Sequence, residues 1–266
     1  MSDLACSVAL VSLAAVIGLL YGVRSLLRGR AHYRRVEQDG GSALLGKGVM
    51  DAGYWSLQPV GNALVRLGVP ANAVTGASLA FGILAGAAVG LGRMGLAAIL
   101  STAAGLCDSL DGLVARNSGV SSDAGEMLDA AIDRLVESAF LVGLAVYFRD
   151  RPVVFILVLL ALLGSFMVSY TSARAEALHV PAPRGAMRRA ERAVYLATGA
   201  GFSPIFDALS SRLPHALQIP QLPMVAAVAM VAVVANASVI SRVRQMERSL
   251  AEQRGDVEAT ERDAHG

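Results

Sequence analysis

The stretch CDSLDGLVARNSGVSSDAGEMLDAAIDRLVES, residues 107–138, decides how the chain is read. It sets four aspartates, Asp108, Asp111, Asp129 and Asp133, between long apolar segments. A carboxylate at membrane depth is costly, so it faces a cavity, a cation or another polar group and marks function. The rest of the chain reads as scaffold around this cluster or as access to it.

Composition agrees with a membrane setting. Of 266 residues, 55% are hydrophobic and 17% charged, against about 25% charged in an ordinary soluble domain. Mean hydropathy is +0.54, and several apolar runs approach the roughly 20 residues that cross a bilayer as a helix. No alternating pattern of the kind a membrane β-barrel needs is present. A net charge of +2 gives no basis for nucleic-acid binding. The two cysteines, Cys6 and Cys107, form no CxxC pair, which argues against a disulfide framework or a zinc site.

Outward from the aspartates, the chain divides into apolar segments and basic connections. The first span, 4–23, is preceded by Asp3 and followed by Arg24, Arg28, Arg30, Arg34 and Arg35. Positive charge behind the apolar run rather than in front of it predicts an uncleaved anchor, N-terminus outside. Residues 36–48 read as a glycine-rich linker, and 49–68 as an amphipathic interfacial helix interrupted near Pro59. The second span, from Val69 to about Leu91, repeats small residues at helical spacing, as close helix contacts in membranes require. The third enters the aspartate motif, the fourth covers about 124–148, and the fifth is 152–171. The sixth, about 190–210, is expected to bend or stop near Pro204, and the seventh is 224–240. The tail should be helical at first and frayed from Gly255. Arginines between the fifth and sixth spans and after the seventh place these connections, and the aspartates with them, on the cytoplasmic side.

Spacing assigns chemistry to the motif. Asp108, Asp111, Gly112 and Ala115 fall at i, i+3, i+4 and i+7, one face of a helix. Gly125, Asp129 and Asp133 fall at i, i+4 and i+8, again one face. The short connection between them predicts neighbouring helices whose acidic faces meet. Two hard divalent cations would relieve the repulsion. Such a pair, about 3.5–4 Å apart, suits displacement at phosphorus. Arg116, just past the small residues, is suited to phosphate oxygens. Glu137 continues the i+4 series and is read as solvated or as pairing two helices.

D-x-x-D-G-x-x-A-R from Asp108, eight residues, then G-x-x-x-D-x-x-x-D resembles, without departure, the signature of the CDP-alcohol phosphotransferases. The resemblance implies an all-α polytopic membrane protein with the family's six-helix core plus one extra N-terminal transmembrane helix. Its parts would be an anchor, 1–35; a linker and interfacial helix, 36–68; a six-span catalytic core, 69–241; and a charged tail, 242–266. It implies magnesium or manganese, as two ions, on Asp108, Asp111, Asp129 and Asp133. Asp133 would also be the base that deprotonates the acceptor hydroxyl. The CDP-lipid would be met by Asn72, Thr75, Gly112, Ala115, Arg116, Ser122 and Gly125. The donor would be CDP-diacylglycerol, CMP would leave, and a homodimer in the cytoplasmic membrane is expected.

The segments SYTSARAEAL (169–178) and RRAERAV (188–194) resemble the phosphatidylinositol phosphate synthase branch. Arg174 and Arg192 would then bind a phosphorylated acceptor. Ser172 departs from the lysine or arginine of many relatives, which leaves glycerol 3-phosphate as a second acceptor. Arg184, Arg188 and Arg189 either compensate for that lost cation or, as the preferred reading, act as charge anchors. From another class, an acidic-ring cation transporter would explain the aspartates but not the fixed Gly112 and Arg116. A catalytically silent scaffold would not explain the intact aspartates.

Overall fold

The structure is a computed structural model and describes residues 2–29, 47–118, 123–181, 187–212, 214 and 219–265. Every regular element among them is an α-helix: α1 (Asp3–Arg28), α2 (Lys47–Arg66), α3 (Ala71–Gly90), α4 (Met94–Ser118), α5 (Asp123–Tyr147), α6 (Pro152–Ala177), α7 (Arg189–Ser210) and α8 (Leu222–His265). Five of them, α1, α3, α4, α6 and α8, contain stretches long and apolar enough to cross a membrane. α5 and α7 are as long but carry Asp129, Asp133, Glu137, Arg189 and Arg192, which lower their apolarity. The chain is an all-α polytopic membrane protein.

α3 is the spine. It packs extensively on both α4 and α5, whereas α4 and α5 barely touch each other. This corrects the expectation that the two motif helices are close neighbours. Each is held by α3, and their acidic side chains meet across the space left between them. The close fit of α3 to α5 comes from missing side chains. A Cβ on Gly86 would strike the backbone oxygen of Ala139, and one on Gly143 would strike the backbone of Gly86. Gly82 likewise leaves room for Val136. In a lipid setting such backbone approach, rather than escape from water, drives helix association. α6 pairs with α8, and α7 bridges α4 and α8 to close the bundle.

The extra N-terminal helix is fastened at both ends. Asp3 accepts hydrogen bonds from the backbone N–H of Gly95 and Leu96, at 3.0 and 3.1 Å, and so caps the start of α4. At the other end Tyr21 lies 5.9 Å from the Trp55 ring of α2, with the Arg24 guanidinium over the same ring. The N-terminus thus sits at the end of the bundle away from the aspartates.

Three boundaries differ from expectation. α2 continues through Pro59 and α7 through Pro204. At Pro204 the neighbouring Ser203 donates its hydroxyl to Gly199 O at 2.8 Å and accepts from Met224 N at 3.1 Å, which ties the turn to α8. Neighbouring helices and hydroxyls commonly support proline within membrane helices in this way. The last helix runs to His265 instead of fraying at Gly255. The linker over 36–46 lies outside the described residues.

The spine makes a direct prediction. Gly86→Val should destabilise the protein by about 1–3 kcal/mol or more through overpacking. The check is thermal melting in detergent. Gly76→Val, where no atom lies within 4 Å of the new Cβ, is the control and should melt like the parent.

Candidate active site

Two hydroxyls on α3 set the register of α4. Buried Thr75 donates to Asp111 Oδ2 at 2.7 Å, and Ser78, one turn later, donates to Ala104 O at 3.0 Å. That brings the aspartates of α4 to the end of the bundle where α5 begins. Asp108, Asp129 and Asp133 can then each place a carboxylate oxygen within 4.8 Å of the others. Three convergent hard oxygen donors fit a divalent cation of the magnesium or manganese kind. Asp111, turned toward Thr75, lies beside this triad and is not part of it in this geometry.

Arg189, the first residue of α7, enters the cluster. Its Nη2 is 2.6 Å from Asp108 Oδ2, and its Nη1 pairs with Asp133. The guanidinium supplies the opposite charge that converging, partly buried carboxylates require. Reading Arg189 as a surface anchor is therefore corrected: it is part of the site.

Beside Asp133 opens a cavity of about 660 Å³. Its wall includes Arg134, Arg188, Arg189, Arg192 and Arg242, against the acids Asp133 and Glu176. Arg242, at the end of the last span, is buried and donates from Nη1 to Ser172 Oγ at 2.7 Å and from Nε to Ser238 Oγ at 3.3 Å. A cation thus stands beside Ser172 after all, contributed by α8. A smaller cavity of about 60 Å³ runs inward from Asp108 and Asp133 between α4, α5 and α7.

The two residues expected to bind the acceptor fare differently. Arg192 lines the large cavity yet is wholly buried, forked onto Glu137 with Nε to Oε1 at 2.5 Å and Nη2 to Oε2 at 2.8 Å. Glu137 is a helix-pairing residue, one of the two roles the sequence left open for it. Arg174 is exposed on α6 and is not among the residues lining the cavity. On the nucleotide side, Gly112, Ala115 and Gly125 are half-buried, and Arg116 and Asn72 are exposed. Ser122 and Arg184 lie outside the described residues.

Sequence reasoning preferred a charge anchor for Arg189 and missed Arg242. The first lay in a basic run that charge asymmetry already explained. The second had a signal, the Ser238–Arg242 spacing of four residues on an apolar helix, where an arginine needs a partner.

The model of the CDP-alcohol phosphatidyltransferase family matches residues 69–243, more than half of the chain. The chain belongs to this family. The CDP-alcohol phosphatidyltransferase match begins next to the start of α3 and ends just past Arg242, so the fastened N-terminal helix lies outside it. Among curated relatives, the phosphatidylinositol phosphate synthase of Mycolicibacterium smegmatis is 34% identical over 152 residues, covering 56% of this chain and 68% of that protein. A crystal structure of the Mycobacterium tuberculosis phosphatidylinositol phosphate synthase with CDP-DAG bound is 28% identical with a TM-score of 0.60, covering 71% of this chain and 92% of the other. The same enzyme in complex with manganese and citrate gives 27% and 0.62, covering 73% and 90%. The protein is an enzyme of phosphatidyl transfer, and the transporter reading finds no support in these comparisons.

The triad predicts that Asp108→Asn weakens manganese binding by about tenfold or more. Paramagnetic-resonance titration of free manganese against purified protein measures it. Arg116→Ala should bind the ion as the parent does.

Proposed function

We propose that the chain transfers the phosphatidyl group of CDP-diacylglycerol to a small phosphorylated polyol of the inositol phosphate kind, releasing CMP. The observation that carries this reading is the arginine-lined cavity opening directly beside Asp133. Guanidinium groups are the residues of choice for binding phosphate. Asp133 and Arg189 both belong to its wall, so a phosphorylated guest held there would lie next to the cluster. The family likeness supplies the donor.

In this reading an acceptor held in the cavity presents a hydroxyl to Asp133. The hydroxyl oxygen attacks the phosphorus that bears the diacylglycerol. The bond from that phosphorus to the CMP oxygen breaks, CMP carries away the electron pair, and the hydroxyl proton passes to Asp133. Asp108, Asp111, Asp129 and Asp133 would hold two ions, magnesium or manganese. Bound there, such ions offset negative charge on the entering and leaving oxygens. Arg189 pairs with Asp133 through Oδ1, so Oδ2 would be the oxygen that takes the proton. Gly112, Ala115 and Gly125 leave room for the nucleotide, with Arg116, Asn72 and Ser122 around it. Thr75 serves indirectly, by holding Asp111.

Residues 69–241 would form the catalytic core, preceded by the anchor and the interfacial helix and followed by the charged tail. The site end also carries the arginines of α7 and of the region after the last span, which supports a cytoplasmic-facing site in the cytoplasmic membrane. A homodimer rests on the family likeness. Gly82 and Gly86 are used against α5 within one protomer and so do not supply its surface.

The test is CMP release from CDP-diacylglycerol by purified protein with inositol phosphate, glycerol 3-phosphate and free inositol in parallel. Inositol phosphate should give the highest kcat/KM, and chelation of divalent ions should abolish turnover. No CMP with any acceptor, in folded protein, would sink the proposal. Asp133→Asn should lower kcat by about 10²–10⁴-fold, the usual range for loss of a general base, while CDP-diacylglycerol binding is retained.

A further inference from the structure

Two arginines one helical turn apart on α7, Arg189 and Arg192, pair with carboxylates in different ways. Arg192 and Glu137 form a sealed pair, with side chains 0% and 10% exposed. Arg189 joins Asp108 and Asp133, and all three side chains are between 19% and 29% exposed. A sealed pair cannot trade partners without leaving a buried charge behind. The pairing of Arg189 lies open on two sides, since Arg189 and Asp133 line both the 660 Å³ and the 60 Å³ cavity. Water and small ions can reach it, so its guanidinium can be replaced.

The oxygens involved identify the competitor. One guanidinium spans two helices that barely touch. It takes Asp108 Oδ2 of α4 through Nη2, at 2.6 Å, and Asp133 Oδ1 of α5 through Nη1. Those two residues, with Asp129, are the carboxylates whose oxygens come within 4.8 Å of one another. A divalent cation drawn to that triad would meet the guanidinium as its neighbour. Like charges in a partly buried site are poorly screened. Arginine cannot shed its charge, so it relieves the repulsion only by moving. The large cavity gives it room, and Glu176 on the same wall offers it another carboxylate. Arg189 is also the first residue of α7, at the end of a helix that favours anions over cations. The helix itself therefore does nothing to hold that charge in place.

We infer that Arg189 is the resident counter-ion of the metal site: it competes with the divalent cation for Asp108 and Asp133, and binding of the ion swings its guanidinium out of the cluster. This rests on the reading of the triad as a divalent-ion site. The linkage is reciprocal, so whatever Arg189 costs the ion, the ion costs the pairing of Arg189. A clamp that shapes the triad would act in the opposite direction, and its loss would weaken ion binding. A merely structural bridge would alter stability and leave ion affinity alone.

The experiment titrates manganese into full-length, chelator-stripped protein in detergent, with free ion read by paramagnetic resonance. It compares the parent with Arg189→Gln and Arg189→Lys. Arg189→Gln should bind manganese about tenfold more tightly, within the usual range of coupling between two sites. Arg189→Lys keeps the charge and should lie closer to the parent than to Arg189→Gln. Melting gives a second readout. Without ion, Arg189→Gln should melt below the parent, and saturating manganese should raise its melting temperature by more than it raises the parent's. Manganese affinity in Arg189→Gln equal to or weaker than the parent's overturns the inference. If Arg189→Gln does not fold, the parent decides. Labelling of Arg189 by an arginine-selective dicarbonyl, read by peptide mass spectrometry, should then be faster with manganese than without it. An unchanged or slower rate overturns the inference. If the parent binds no manganese that Asp108→Asn weakens, the reading of the triad fails first. A parent that binds the ion there, with Arg189→Gln matching it, removes the inference alone.

Discussion

Carboxylates gathered at the end of a membrane bundle repel one another, and the architecture answers that repulsion. α4 and α5 are kept apart and handed to a common third helix, so their acids meet only through their tips. Thr75 holds Asp111 aside with a hydroxyl. Arg189 lies across Asp108 and Asp133. One turn further into the bundle, Glu137 is satisfied by Arg192. Asp111 is thus met by a hydroxyl, and Asp108, Asp133 and Glu137 by guanidinium groups, while Asp108, Asp129 and Asp133 together offer the donors of a hard divalent cation.

The cost of this arrangement is carried by α3. Its glycines let its backbone lie against that of α5, and its hydroxyls reach across to α4. A helix with larger side chains at Gly82 and Gly86 would stand further from α5 and carry Asp129 and Asp133 away from Asp108. The chemistry of the motif therefore depends on residues that have no chemistry of their own. The basic cavity is built from α5, α6, α7 and α8, and it joins the acidic cluster where Asp133 and Arg189 belong to both.

Much of this was legible in the sequence. The aspartate spacing on two helical faces, the small residues of the second span and the charge asymmetry of the connections each reflect a local rule. Those rules place Asp108, Asp129 and Asp133 together and put the arginines at the same end. What the sequence did not disclose depended on which helix lies against which. That α3 separates α4 from α5 cannot be read from a short connection. Arg189 and Arg242 looked like positive charge at a membrane surface, since the same residue type serves both purposes. Arg174, chosen by likeness of motif, is exposed on α6 and is not among the residues that line the cavity. The prolines misled for a related reason. Pro59 and Pro204 disfavour the interior of an isolated helix, yet α2 and α7 run through them, as packed membrane helices allow.

The capping of α4 by Asp3 bears on how the protein is assembled. The two partners are 92 residues apart, and a ribosome delivers them in that order. α1 is therefore made before its partner, and the Asp3 contact can form only once the turn before α4 has been made. Trp55, which grips the opposite end of α1, is delivered in between. The first helix is thus made early but docked late, and its seam with α4 can close only once α3 and the turn after it have been made.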